Sequence, residues 1–477
     1  MFDFTKKNSV IKNVALMLFG NVFSQIVNLF VFIYIARYFG PRVFGDFNWS
    51  KVFIQYFVLL ATFGFDNVAM IKILKNKNNI IEMKKIYSNI FIFKIIFSIM
   101  SYTLMALIVF MIDKTEDQKF LTFIIGLSIL TIALNNTWFF RSFQQAEIPV
   151  ISEVIKILIY TLLVLINLFT IKSVFVLALS WIIAEIIGYI YTNLKSPFKL
   201  NISGNLNSIE NIKLGFPFFV SGFFATISLN IDVLIIGLFR TSQEVGLYSA
   251  VFKLISLVML VASFVFNAIK PILIENYHNK QIHFLADLNV KMMNICLYFI
   301  LPLATYGIID SENIINLVYG SDYIEGKNVF ILLILYISIF LWREIYGYQM
   351  ISYNLQNKYM NIVIVSGVLN LLLNLLLIPS YGIIAAAITT LCTEIINFLI
   401  MRKSIKKIIK YENDNKQIIR IIGLNVSTLA INLILGTIVE NFVCLILLTI
   451  FVYVIISHYL KIINLLKIIV KIKEKIK

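Results

Sequence analysis

Eleven ionisable side chains fall in stretches otherwise apolar enough to enter a lipid bilayer: Lys51, Lys94, Lys156, Lys253 and Arg343, with Asp66, Glu153, Glu185, Asp232, Glu344 and Glu394. A charge at the centre of a membrane helix costs roughly 2.5–3.5 kcal/mol on insertion scales, so such groups usually face a cavity, a partner or a transported ion. Lys51 and Lys253 occupy near-equivalent places in two related halves of the chain, just below the outer surface, and Arg37 lies near the same level. Cations there would compensate an anionic group crossing a low-dielectric cavity. Snorkelling to the outer headgroups is the alternative. Asp232, near the outer end of the seventh span, and Asp66, in the second, could each hold a lysine in place or bind a coupling cation or proton.

The remaining charges read as structural. Lys94 and Lys156 lie close to the inner surface and could snorkel, which makes Lys94 a natural silent control. Glu153 and Lys156 are spaced i, i+3 and should pair on one helix face. Glu185 and Glu394 match in the internal repeat and point to hydrogen bonding within each bundle. Arg343 and Glu344 are adjacent, hence about 100° apart around a helix, and are expected to be neutralised inside their bundle.

Chemistry of the catalytic kind finds no constellation. His278 and His283 share a loop and His458 ends a helix, with no HExxH, Ser/His/Asp or Walker A spacing. Cys296, Cys392 and Cys444 all fall in predicted spans, which gives neither a disulfide framework nor a CxxC metal site. No enzyme activity, cofactor or metal is expected.

The elements that must carry these charges are helices. Hydrophobic residues make up 60% of 477 positions, charged residues 14%, and mean hydropathy is +0.89. A soluble chain of this length needs more polar surface. Spans are predicted near 14–36, 47–72, 88–112, 120–140, 150–170, 173–194, 214–238, 246–272, 290–309, 328–351, 359–378, 381–401, 418–438 and 441–460, fourteen in all. With a cytoplasmic N-terminus, the inner segments collect most of the lysines, including the cluster Arg402 to Arg420 and the tail after Lys461. The outer segments hold only Arg37, Arg42, Lys114, Lys119, Lys172, Arg240 and Lys327. That asymmetry predicts both termini on the cytoplasmic side. The net charge of +16 therefore reads as topology and contact with anionic membrane lipids, and not as nucleic-acid binding. No cleavable signal peptide is expected, because the first apolar stretch is long enough to span and lacks a small-residue cleavage site.

An internal repeat organises the spans. Placing Gly45 on Gly246 aligns Phe44-Gly45-Asp46-Phe47 with Val245-Gly246-Leu247-Tyr248, and Ser173 to Glu185 aligns with Gly382 to Glu394. Each unit holds six spans, an even number, so the halves insert in the same orientation, two parallel bundles with a cleft between. The expected organisation is an N-terminal six-helix bundle (1–194), a cytoplasmic linker (195–213), a C-terminal six-helix bundle (214–401), a basic loop with an extra helix pair (402–460) and a basic amphipathic tail (461–477). Pro217, flanked by Gly215 and Gly222, predicts a bend early in the seventh span, or else a simple helix start.

The stretch 230–256 resembles the seventh and eighth spans of the prokaryotic polysaccharide flippases of the multidrug/oligosaccharidyl-lipid/polysaccharide exporter superfamily. Asn230, Asp232, Gly237, Gly246, Tyr248, Ser249, Ala250 and Lys253 carry the likeness. Residues 37–47 resemble that family's first outer turn, and 379–394 the approach to its twelfth span. The resemblance implies an all-α integral membrane protein with about 14 transmembrane helices. It also implies alternating-access movement of undecaprenyl-pyrophosphate-linked oligosaccharide from the inner to the outer leaflet of a bacterial plasma membrane, for O-antigen, capsule or a related glycan. The implied partners are that lipid-linked oligosaccharide, anionic lipids and glycan polymerases. Two other readings compete: a cation-coupled multidrug exporter of the same superfamily, and a membrane glycan polymerase or ligase. Fewer spans in drug exporters count against the first, and the short outer loop at 310–327 against the second.

Overall fold

The computed structural model describes residues 10–198, 208–412, 414–439 and 441–460. Among these every regular element is a helix. The basic tail expected at 461–477 lies outside the described residues.

The chain folds into two compact units, one of residues 1–250 with 375–383, the other of 251–374 with 384–477. In the first unit, α1 (Val10–Thr62) is broken at Gly40, whose φ of 71° takes it out of the helix, and resumes at Pro41. Proline in the first turn of a helix loses no needed donor. The second limb continues through a left-handed turn at Gly64 into α2 (Phe65–Lys75). Then come α3 (Ile80–Met111), α4 (Glu116–Gly126), α5 (Ser128–Ala133), α6 (Thr137–Ser142), α7 (Glu147–Phe169), α8 (Val174–Lys195) and α9 (Ser208–Phe239). Asn79 and Thr115 cap α3 and α4 through the backbone N–H groups of Glu82 and Gln118, satisfying donors that a helix start leaves open. α4 to α6 form one interrupted span, Glu116–Ser142. One end of this unit is filled by aromatic rings, Phe65, Tyr87, Phe93, Trp138, Phe139, Phe140 and Phe198 among them.

α10 (Ser242–His278) begins in the first unit and continues in the second. The second unit adds α11 (Ile282–Ile309), α12 (Ser311–Tyr319), a 3₁₀ turn at Ser321–Gly326, α13 (Lys327–Ser352), most of α14 (Gln356–Lys406), α15 (Asn415–Leu435) and α16 (Phe442–Tyr459). Its core joins Leu273, Leu285, Tyr346, Met350, Tyr353, Met401 and Ile405. The last two helices dock on α11: Tyr453 Oη donates to the Tyr298 carbonyl at 2.8 Å, and Ile421 and Leu424 pack beside it.

Among the described residues, eleven helical segments are long and apolar enough to cross a membrane, and the bent pair at 210–239 makes a twelfth. The breaks at Gly40 and Gly382, both with positive φ, divide two of these in two and bring the total to the fourteen read from hydropathy. The chain is a multi-pass membrane protein.

Pro217 lies ten positions into α9, and the 62° bend falls between Ile227 and Leu229. The proline neither starts the helix nor marks its bend. The neighbouring Gly215 sits at a close approach instead: a Cβ there would lie 2.5 Å from the Phe63 carbonyl oxygen.

Candidate functional site

The turn of α1 at 40–45 and the turn from α9 to α10 meet inside the first unit, at positions that the sequence repeat makes equivalent. A Cβ on Gly45 would fall 1.8 Å from the Ser242 carbonyl oxygen, and one on Gly246 would fall 1.9 Å from that of Pro41. Pro41 and Ser242 are equivalents under the alignment of Gly45 with Gly246, so each turn presents the same surface to the other. Asn48 Nδ2 donates to Ser249 Oγ at 2.8 Å, and those two residues are 201 apart, the repeat offset itself. Reciprocal contacts of this form define a local two-fold axis.

Asp232 belongs to this junction. It is buried and accepts a hydrogen bond from Tyr248 Oη at 2.6 Å. Trp49 reaches the Leu234 carbonyl at 3.3 Å and covers Gly237. The Lys114 ammonium stands 5.0 Å from the Trp49 ring and donates to the Gly237 carbonyl. Burial pushes Lys114 below the ordinary lysine range, and Asp46 and Asp113 oppose that shift. Arg37 is exposed, one turn before the break at Gly40.

Lys51 turns toward α8. Its Nζ lies 3.6 Å from the centroid of the Trp181 ring and 5.4 Å from that of Phe47. A cation over an indole face is worth up to about 2 kcal/mol when desolvated. Trp181 is braced edge-on by Tyr160. One turn further along α8, Glu185 takes Lys156 at 3.4 Å, and Lys156 also holds Glu153 at 2.8 Å. The i, i+3 pair thus forms as expected and gains a third member from the next helix.

Asp66 holds a lysine, and the lysine is Lys94. Lys94 is 1% exposed, with the Asn135 carbonyl at 3.5 Å and the Trp138 ring at 5.9 Å. Snorkelling is therefore wrong for Lys94: nearness to a surface along the helix sets depth, not direction, and this face of α3 turns inward. Lys94→Ala, far from silent, should strand the Asp66 carboxylate. Loss of one partner from a fully buried pair costs about 3–5 kcal/mol, and the partial exposure of Asp66 reduces this to about 2. Heating detergent-solubilised variants before size-exclusion chromatography should show Lys94→Ala melting early, and Asp66→Asn with Lys94→Met recovering most of the loss. No shift in Lys94→Ala would contradict the pairing.

In the second unit Lys253 is half-buried on α10. The register set by Gly45 and Gly246 equates Lys51 with Phe252, so Lys253 stands one residue further on. Arg343 is neutralised within its own unit, as expected: its Nε lies 2.6 Å from Glu394 and its Nη1 touches Glu344. Glu185 and Glu394 thus play the same part, each pairing with a base of its own unit.

A family model described as polysaccharide biosynthesis protein matches residues 10–277, more than half of the chain. The chain belongs to that family. A curated relative, the probable low-salt glycan biosynthesis flippase Agl15 of Haloferax volcanii, is 28% identical over 225 residues, which is 46% of this chain. The chain spans 45% of that relative's length. Among solved structures, lipid II flippase MurJ in an inward closed conformation is matched over 94% of this chain and 98% of its own, at a TM-score of 0.70 and 20% identity. An inward-facing multidrug resistance MATE family transporter of the MOP superfamily is matched over 80% of this chain and 95% of its own, at 0.62 and 14%. These likenesses establish the fold.

In this polysaccharide biosynthesis protein, the partners that sequence reasoning left unnamed are Trp181 for Lys51, Tyr248 for Asp232, Lys94 for Asp66 and Arg343 for Glu394. Spacing along one helix finds an i, i+3 pair. Partners from separate helices carry no such signal.

Proposed function

We propose that this protein is a flippase that moves undecaprenyl-pyrophosphate-linked oligosaccharide repeat units from the inner to the outer leaflet of a bacterial plasma membrane by alternating access, supplying O-antigen or capsule synthesis. One observation carries the choice over drug export. The lipid II flippase fold covers all but 6% of the chain, about 29 residues, fewer than the 39 of α15 and α16 together, whereas the MATE structures leave 16–20% unmatched. The family match and the glycan flippase relative support the same reading. In this reading Lys51 and Arg37 of the first unit and Lys253 of the second are the cations for the diphosphate, and Asp232, held by Tyr248, tunes the junction of the first unit. Both termini face the cytoplasm.

Inactivating the protein in its own cell should remove surface glycan and leave lipid-linked repeat units on the inner leaflet. Intact surface glycan together with sensitivity to cationic drugs would favour the exporter instead. Reporter fusions after Lys114 and after Lys407 should read outer and inner sides respectively. The same side for both would refute the topology.

A further inference from the structure

A cavity of about 780 Å³ lies between α2, α3 and the start of α9, all within the first unit. It is remote from the cations discussed so far. Lys72 is separated from Lys51 by the turn at Gly64, and lies up to about 30 Å further along at about 1.5 Å per helical residue. One wall of the cavity is charged. The Lys72 ammonium donates to Asn211 Oδ1 at 2.7 Å and stands 3.2 Å from Glu210, both on α9. Lys75 is three residues on, on the same face of α2, and among the described residues no carboxylate pairs with it. Glu82 and Lys85 line the cavity from α3 and answer each other at 3.8 Å. Three lysines against two glutamates leave one positive charge over. The other wall is apolar, with the exposed side chains of Ile71, Leu214 and Phe218.

The two walls together describe a ligand. Glu210 is 62% exposed, and an ion pair so close to water is weak, so a competing anion can take Lys72 from it. Asn211 is buried and neutral, and keeps Lys72 in the cavity without cancelling its charge. Phosphate oxygens accept charge-assisted hydrogen bonds from ammonium groups. A phosphodiester carries one negative charge, which matches the charge the walls leave over. A free anion has no use for the apolar wall. A lipid does, because its chains leave the phosphate along Ile71, Leu214 and Phe218.

We propose that this cavity binds an anionic phospholipid, with the phosphate held by Lys72 and Lys75 and the chains laid over Ile71, Leu214 and Phe218. Binding exchanges the Lys72–Glu210 ion pair for one between Lys72 and the phosphate, and Glu210 is left to water. The site requires only that the chain spans a membrane, and is independent of what the protein transports.

Native mass spectrometry of the full chain, titrated in detergent with phosphatidylglycerol, counts the bound lipid directly. Phosphatidylglycerol should bind about tenfold more tightly than phosphatidylcholine of the same chains, whose choline cancels its charge. Lys75→Gln should weaken phosphatidylglycerol about tenfold, the loss of one charge-assisted hydrogen bond. Lys84→Gln removes the same charge from an exposed position outside the cavity, and should leave the affinity within about twofold because a charge there is screened. Glu210→Gln should tighten binding about two- to fivefold, since it removes the competitor for Lys72. Equal binding of the two lipids, or equal losses in Lys75→Gln and Lys84→Gln, would overturn the site in favour of diffuse attraction. Weaker binding in Glu210→Gln would overturn the exchange at Lys72. Displacement by an equal concentration of inorganic phosphate would give the cavity to a free anion, and displacement by farnesyl diphosphate would give it to the transported lipid. Either result ends the phospholipid assignment.

Discussion

Gly246→Ala should cost the protein its fold at the junction of the α1 and α9–α10 turns, with a drop of tenfold or more in monodisperse material after solubilisation. The added methyl would sit 1.9 Å from the Pro41 carbonyl oxygen and 2.7 Å from its carbon. Both are backbone atoms, so no rotamer change relieves the clash. Overpacking ordinarily costs about 1–3 kcal/mol, and a collision between two main chains belongs at or above the top of that range. Gly45→Ala meets the Ser242 carbonyl in the same way and should behave alike. Gly423→Ala is the control. Nothing stands within 4 Å of its would-be Cβ, and alanine in a helix interior gains up to about 1 kcal/mol over glycine. If Gly246→Ala matched Gly423→Ala in yield and melting temperature, the junction would be misplaced.

Removing the two lysines should silence export without removing the protein. A charge-assisted hydrogen bond contributes about 1.5–3 kcal/mol, so Lys51→Ala or Lys253→Ala alone should lower surface glycan by about ten- to a hundredfold. The double variant should abolish it at unchanged abundance. Lys253→Arg keeps the charge and should retain much of the signal. Trp181→Leu should reproduce part of the Lys51→Ala loss, since the indole face fixes where that ammonium stands. Lys85→Ala makes a better control than Lys94→Ala, being 62% exposed with only a loose 3.8 Å contact to Glu82. Normal glycan display in the double variant would end the cationic-cavity model, although the family assignment would survive.

Much of this architecture is written in the chain as hydropathy and small residues. A span announces itself by length, and the breaks at Gly40 and Gly382 sit where glycine meets a turn between two apolar runs. The alignment of Gly45 with Gly246 marks two equivalent turns, and only the structure shows that these turns pack on each other. Side-chain direction is less legible. Lys94 has the same sequence context as a snorkelling lysine, and only the packing of α2 against α3 shows that it faces Asp66. Arg343 and Glu394 are 51 residues apart, and their pairing depends on how α13 and α14 are rotated. The bend after Ile227 likewise follows from neither proline nor glycine nearby.

The contact of each of these turns with its own equivalent also bears on descent. Asn48 meets Ser249, and the two glycines meet across the same axis. At an axis of this kind a residue in a homodimer meets its own copy. A half-length ancestor pairing with itself would have needed one glycine there, and duplication with fusion would have fixed two. Each copy is now free to diverge except where it faces the other. Asn48 and Ser249 differ in identity and share a hydrogen bond, and Gly45 and Gly246 are both glycine. Homologous chains should therefore change the first pair together and leave the second untouched.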